Sequence, residues 1–248
     1  MGVQEMTSPL VLIQARINST RLYNKINQLI GNKRMVDHVV DRVRKAGLKW
    51  MFARPQDWPE VEENDVLGRL YTMCHAIDPE GDTYDPIVRI TADCPMLDTG
   101  IMLTVLDAYN SHHGGIVATG PEWDGMDAEV FSRTILARAH TLAGWPYDRE
   151  HVTPWMKWHE STLILHSSTT FRWSVDDAEG LEFVREVFRL CPHCYRGVPH
   201  HTNARTSISG GDRELVIDLH AVPDGGLDEC LAADLLRTRT GGPVYVSG

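Results

Sequence analysis

Arg16, Arg21 and Lys25 fall within ten residues, directly after the short apolar run Leu10 to Gln14. With the hydroxyls of Ser19 and Thr20 and the N–H groups of a loop, three cations in that space make a set able to hold a triphosphate. A solvated basic loop has the same composition. The segment is not a Walker loop, because the G-x-x-x-x-G-K-S/T spacing is absent. Two acidic positions follow. Asp93 comes just after the run Ile87 to Thr91, and Asp176 after Phe171 to Val175. A carboxylate that leaves a strand suits a hard cation such as Mg²⁺, which prefers oxygen ligands. Taken singly, Asp93 reads equally well as a turn residue, while Asp98 and Asp177 read as helix caps.

The elements that must position these residues alternate. Leu10 to Gln14 is a buried strand by length and apolarity. Lys33 to Ala46 carries Met35, Val36, Val39, Val40 and Val43 at helical spacing, and Gly47 supplies a stop. Trp50 to Ala53 is a short strand, Asp65 to Ile77 a helix, and Ile87 to Thr91 a strand. A helix capped by Asp98 or Thr99 runs to about Tyr109, followed by a strand at Ile116 to Thr119. Ser132 caps a helix reaching Ala143, and Thr153-Pro154 opens another. Thr162 to His166 and Phe171 to Val175 are strands, and Asp177 caps a helix bearing Leu181, Val184, Val187 and Phe188. This order predicts an α/β fold, a mostly parallel sheet flanked by helices. Such sheets bind ligands at the carboxyl ends of their strands, where all three charged segments fall.

Residues 1–189 form one main domain on this reading. Residues 190–248 are a C-terminal extension of unknown role, with a strand at Glu214 to Leu219, a helix at Leu227 to Leu236 and a strand at Pro243 to Val246. Cys191 and Cys194, with His200 and His201, have spacing open to zinc or to plain buried thiols. The chain has 248 residues, 24 Lys+Arg against 34 Asp+Glu, and five cysteines. The net charge of −10 argues against a dedicated nucleic-acid binder. No apolar run approaches the roughly 20 residues that span a bilayer, and no secretory signal opens the sequence. Scattered, odd-numbered cysteines fit a reduced, cytoplasmic protein.

Seven separated phrases occur in order: IQARINSTRL, DHVVDRV, NDVLGRLY, IVRITADCPMLD, DGMDAEVFS, DREHVTPWM and RWSVDDAEGLEFV. Together they resemble the spore-coat polysaccharide F family, homologues of CMP-KDO synthetase among the sugar cytidylyltransferases. The resemblance covers about residues 9–189. It implies a Rossmann-like nucleotidyltransferase domain of the glycosyltransferase-A type, activation of an acidic sugar with CTP, Mg²⁺, and a homodimer. Carried over by position, Arg16, Ser19, Arg21 and Lys25 match the triphosphate loop, and Asp93 and Asp176 match the two metal-binding aspartates. Arg89 matches a position beside the nucleotide. Asp124, Asp127 and Glu129 match a phrase near the sugar and the dimer contact, and Asp127 is the candidate general base. Arg149, Glu150 and His151 match a further phrase. The chain departs from the family where Asn18 replaces Gly, where Tyr23-Asn24 replace Pro-Gly, where Ala92 replaces Gly, and where one βα unit is missing between Gly47 and Glu63.

The reaction so implied is attack of a sugar hydroxyl on the α-phosphate of CTP with release of pyrophosphate, a chemistry of positioning and charge neutralisation. Two rivals remain at the level of sequence. One is a glycosyltransferase using a finished nucleotide-sugar, although the chain lacks a D-x-D triplet. The other is a non-catalytic binding protein on a decayed enzyme fold, suggested by the altered loop and the missing unit. The stretch Trp123 to Phe131, with its apolar residues, is the expected dimer contact.

Overall fold

The computed structural model describes residues 7–16, 19, 21–112, 114–167, 171–190, 203–204 and 214–218. The cysteine pair 191/194 and the expected elements at 227–236 and 243–246 lie outside them. The chain opens with β1 (Ser8–Gln14), a hairpin of β2 (Leu29–Ile30) and β3 (Lys33–Arg34), and α1 (Met35–Lys45). Then come β4 (Lys49–Ala53), α2 (Val66–Ile77), β5 (Tyr84–Thr91) and α3 (Thr99–Ser111). β6 (Ile116–Thr119), β7 (Trp123–Asp124) and β8 (Glu129–Phe131) precede α4 (Arg133–Leu142), α5 (Pro146–His151) and α6 (Pro154–His159). β9 (Thr162–Ser167), β10 (Phe171–Arg172), α7 (Ala178–Leu190), β11 (Asn203–Ala204) and β12 (Glu214–Asp218) complete the order.

Eight strands form one sheet in the order β11-β12-β9-β6-β8-β5-β1-β4. The pairs β4–β1, β1–β5, β6–β9 and β9–β12 are parallel, whereas β8 runs antiparallel to both β5 and β6. The reversal at β8 puts its start at the same edge as the ends of β1, β5, β6 and β9; β11 is also antiparallel, to β12. Glu214–Asp218 therefore continues the sheet beyond residue 189, beside β9.

Alternation along the strands divides the core in two. One face turns Val11, Ile13, Val88, Ile90, Val117 and Val130 toward α1 and α3. The other turns Leu10, Leu12, Ile87, Ile116 and Phe131 toward α2, α4 and α6. A third cluster, Ile30, Met35, Val175, Leu181, Val184 and Phe188, seats α7 on the β2–β3 hairpin. Side-chain caps start the helices at three expected places, where Asp98 accepts from Ile101 N, Ser132 from Ile135 N and Asp177 from Gly180 N, and also at α2, where Asp65 accepts from Gly68 N. Each cap contributes about 1 kcal/mol.

Three expectations are corrected. Lys33 and Arg34 belong to a strand, so α1 begins at Met35. Phe171 to Val175 is a strand only at Phe171–Arg172, because the N–H groups of Trp173 and Val175 go to the carbonyls of Asp124 and Asp93 rather than to a ladder. The apolar side chains of Trp123 to Phe131 turn inward rather than outward: Trp123, Ala128, Val130 and Phe131 are all 0% exposed and Met126 9%. Among the described residues, no helix is long and apolar enough to cross a membrane.

Candidate active site

At the carboxyl edge, Lys25 stands between two carboxylates from distant parts of the chain. Its Nζ donates to Asp93 Oδ2 at 2.6 Å and to Asp176 Oδ1 at 3.4 Å. Arg21 Nη2 donates to the same Asp176 oxygen at 3.0 Å. Lys25 is well covered, its side chain 10% exposed, while those of Asp176 and Arg21 are 37% and 66% exposed. Three elements supply the cluster. Lys25 opens a 3₁₀ turn, Lys25–Asn27, entered through Asn24 in the left-handed region at φ 50° and ψ 40°. Asn is among the few non-glycine residues that adopt this conformation readily, so Asn24 keeps a geometry that Gly would otherwise supply. Asp93 leaves β5 and is held by its own backbone, since its carbonyl accepts from Val175 N at 3.1 Å. The same hydrogen bond fixes the approach of Asp176. Burial raises the Asp93 carboxyl, but the Lys25 ammonium overcomes this and leaves it below the usual carboxylate range.

Asp127 lies at the entry to β8, on the same edge. Its Oδ2 accepts from Gly125 N at 2.9 Å. Burial, with help from the negative charges of Asp124 and Glu129, pushes its carboxyl up to about 6. Gly125 has φ 87° and packs against the backbone of Trp173 and Ser174, where a side-chain carbon would collide. The phrase Asp124 to Asp127 is thereby pressed onto the segment that carries Asp176.

The remaining sequence candidates are placed differently. Arg89 and Glu129 face each other across the β5–β8 pair as a closed ion pair. Arg89 also donates to Gln14 Oε1, through Nη2 at 2.6 Å. Glu129 accepts from Thr153 Oγ1 at 2.6 Å and from Lys157 Nζ at 2.7 Å. Burial raises the Glu129 carboxyl, but Arg89 and Lys157 pull it down to about 2. Thr153 is delivered by a tight turn: Thr153 N donates to His151 O at 2.9 Å, and Val152 between them sits at φ 72° and ψ −59°. That conformation is strained for a β-branched residue. Arg16 reaches Asn64 Oδ1 at 3.4 Å and Glu150 at 3.8 Å, on the α2–α5 side of the edge. Ser19 Oγ accepts from Leu22 N at 3.3 Å, shaping the loop. Asp124 contributes its carbonyl to Trp173 N. Thr20 lies outside the described residues.

The structure adds groups that the sequence did not single out. Lys157, Thr153 and Gln14 complete the Arg89–Glu129 network. Arg149 belongs to the scaffold: its Nε and Nη2 grip both oxygens of Asp65, at 2.8 and 2.5 Å, and its Nη1 donates to His140 O. Asp65 also caps α2, so one carboxylate ties α5 to the start of α2.

No described cluster offers three or more protein ligands to a metal. Two carboxylates alone suit Mg²⁺, which takes one or two protein carboxylates and fills its remaining positions with water and substrate phosphate. The donor set of Asp93 and Asp176 fits that pattern.

A family model for cytidylyltransferases matches residues 10–50, the segment holding β1, the basic loop and α1. The chain is 28% identical over 129 residues to 3-deoxy-manno-octulosonate cytidylyltransferase of Bartonella bacilliformis, a match covering 46% of the chain and 53% of that protein. It therefore spans about half that relative's length. It is 21% identical over 218 residues to the spore coat polysaccharide biosynthesis protein SpsF of Bacillus subtilis, covering 74% of the chain and 88% of the relative. Among solved structures, a cytidylyltransferase from Leptospira borgpetersenii superposes with a TM-score of 0.64 at 20% identity, covering 78% of the chain and 99% of that structure. The sheet, the basic loop and these relatives agree: the chain has the fold of the cytidylyltransferases and is similar to them in sequence at low identity.

Proposed function

We propose that the protein transfers CMP from CTP to the hydroxyl of an acidic sugar, releasing pyrophosphate, in the synthesis of a polysaccharide or glycoconjugate. One observation carries the reading: Lys25 and Arg21 converge with Asp93 and Asp176 at the carboxyl edge of a parallel sheet. The names of the two curated relatives support the nucleotide and the sugar class. Arg21 and Lys25 supply positive charge for the phosphates, and their preorganised donors stabilise charge developing on the departing pyrophosphate. Arg16 extends the cationic side toward Asn64 and Glu150.

Asp127 is the group suited to take the proton of the attacking hydroxyl. Its carboxyl, pushed up to about 6, is both ionised and basic near neutral pH. Asp93 and Asp176 would hold Mg²⁺, whose charge would polarise the phosphate oxygens. Arg89 and Glu129 act beneath the site by fixing Gln14 and the start of β8. The rival of a glycosyltransferase using a finished nucleotide-sugar finds no D-x-D triplet in the sequence.

Pyrophosphate release tests the reading. The protein is mixed with CTP, Mg²⁺ and a panel of acidic sugars. Release that depends on both CTP and sugar is expected. Absence of release with every sugar, despite CTP binding, would leave a nucleotide-binding protein and overturn the catalytic reading.

A further inference from the structure

The position of Lys25 bears on how a metal reaches the site. Its ammonium lies 2.6 Å from Asp93 Oδ2 and 3.4 Å from Asp176 Oδ1, within reach of the oxygens a divalent cation would bridge. Arg21 adds a second positive charge, 3.0 Å from the same Asp176 oxygen. Two carboxylates thus already share two cations. A bare divalent ion approaching them meets an ammonium already seated against both. A triphosphate changes this, since its oxygens compete for Lys25 and Arg21 and bring ligands of their own. The stem of Lys25 has four rotatable carbons, so its head can move from carboxylate to phosphate while its base stays anchored in the 3₁₀ turn.

We propose that Lys25 makes metal binding conditional on nucleotide: its ammonium acts as a tethered cation between Asp93 and Asp176, and the divalent ion enters with the triphosphate that draws the ammonium away. The substrate selected is thus the metal–nucleotide complex, not the free metal followed by free nucleotide. The proposal rests on the two-aspartate reading of the metal site. It adds that Lys25 sets the order in which that site fills.

The test is binding of Mn²⁺, followed by the paramagnetic resonance signal of the free ion, without any turnover. Wild-type protein, Lys25→Met and Lys25→Arg are compared with and without CTP, and thermal unfolding checks that each variant is folded. Without nucleotide, Lys25→Met is expected to bind Mn²⁺ at least tenfold more tightly than wild type. Lys25→Arg, which keeps a cation, is expected to bind as weakly as wild type. Should Lys25→Met fail to fold, Lys25→Gln carries the same comparison. Equal Mn²⁺ affinity in wild type and the neutral variant without nucleotide would overturn the proposal. The two readings separate in the nucleotide arm. If the neutral variant gains Mn²⁺ affinity but CTP leaves wild type unchanged, the blocking role stands and the CTP reading falls.

Discussion

Two charged clusters flank the same strand, β5, and they are built on opposite principles. Asp93 follows the strand and pairs with Lys25, which also reaches Asp176, as does Arg21; exposure rises from Lys25 through Asp176 to Arg21. Arg89 lies within the strand and is enclosed with Glu129 and Thr153, bonded also to Gln14, while Lys157 reaches in from the surface to the same carboxylate. The first cluster can exchange its partners for a ligand. The second has nothing left to exchange, and breaking it strands a buried charge. The same contrast appears two residues apart in Asp127 and Glu129, with carboxyls pushed up to about 6 and down to about 2. Membership in one matched phrase therefore does not decide whether a residue acts on substrate or holds the fold. The test is whether the folded chain already satisfies it.

The largest expected effect would break the comparison outright. Asp93→Asn and Asp176→Asn should each lower CTP turnover about a thousandfold or more, several kcal/mol of transition-state stabilisation, with thermal unfolding nearly unchanged. Normal turnover in either would remove that residue from the site. Glu129→Ala should do the reverse. It leaves Arg89 and Lys157 without their carboxylate and should cost about 3–5 kcal/mol of stability in urea unfolding. Loss of turnover without loss of stability would move Glu129 into the first cluster.

Titration sharpens the contrast by sign. The folded Asp127 carboxyl holds its proton up to about pH 6, above an ordinary unfolded value near 3.9. The folded chain thus binds more protons across that window, and stability from this group falls as pH rises from about 4 to 6. Asp127→Asn should be more stable than wild type at pH 7, by about 1–3 kcal/mol. Turnover should change the other way, rising through about pH 6 in wild type as Asp127 ionises, a step absent from the variant. Glu129, with its lowered carboxyl, contributes stability that is present above about pH 4.5 and lost as pH falls toward 2. Urea unfolding across pH 3–8 distinguishes the two carboxylates.

The smallest effect lies inside the basic loop. Arg21→Ala should weaken CTP binding by roughly ten- to a hundredfold, and Ser19→Ala by about tenfold or less. The gap should narrow as salt rises, because Arg21 is largely exposed. Calorimetric titration at two salt concentrations measures it.

The sequence disclosed what is local. The caps Asp98, Ser132 and Asp177 were visible because each sits three residues before the N–H it satisfies. The meeting of Asp93 and Asp176 was suggested only by the matched phrases, since nothing within 83 residues of chain records their spacing. Helix α5 escaped notice because six residues hold fewer than two turns of pattern and its N-cap position is Trp145, not a capping residue type as Thr153 is for α6. The burial of Trp123 to Phe131 was hidden for a related reason. A short strand inserted between two others is covered on both faces, so its apolar residues carry no polar alternation to show which way they turn. The pairs Arg149–Asp65 and Lys157–Glu129 span 84 and 28 residues, and no local signal announces such contacts.

The hydrogen bond from Val175 N to the carbonyl of Asp93 has a consequence in time. During synthesis the basic loop and Asp93 emerge early, and the partial sheet β4-β1-β5 can assemble around them. Asp176 follows only after 82 further residues, and it is brought into place when α7 settles on the hairpin of β2 and β3. A ribosome-bound chain that has folded its first half thus carries the lysine and one carboxylate but not the second. The charge cluster therefore cannot be complete until the chain has been made as far as Asp176.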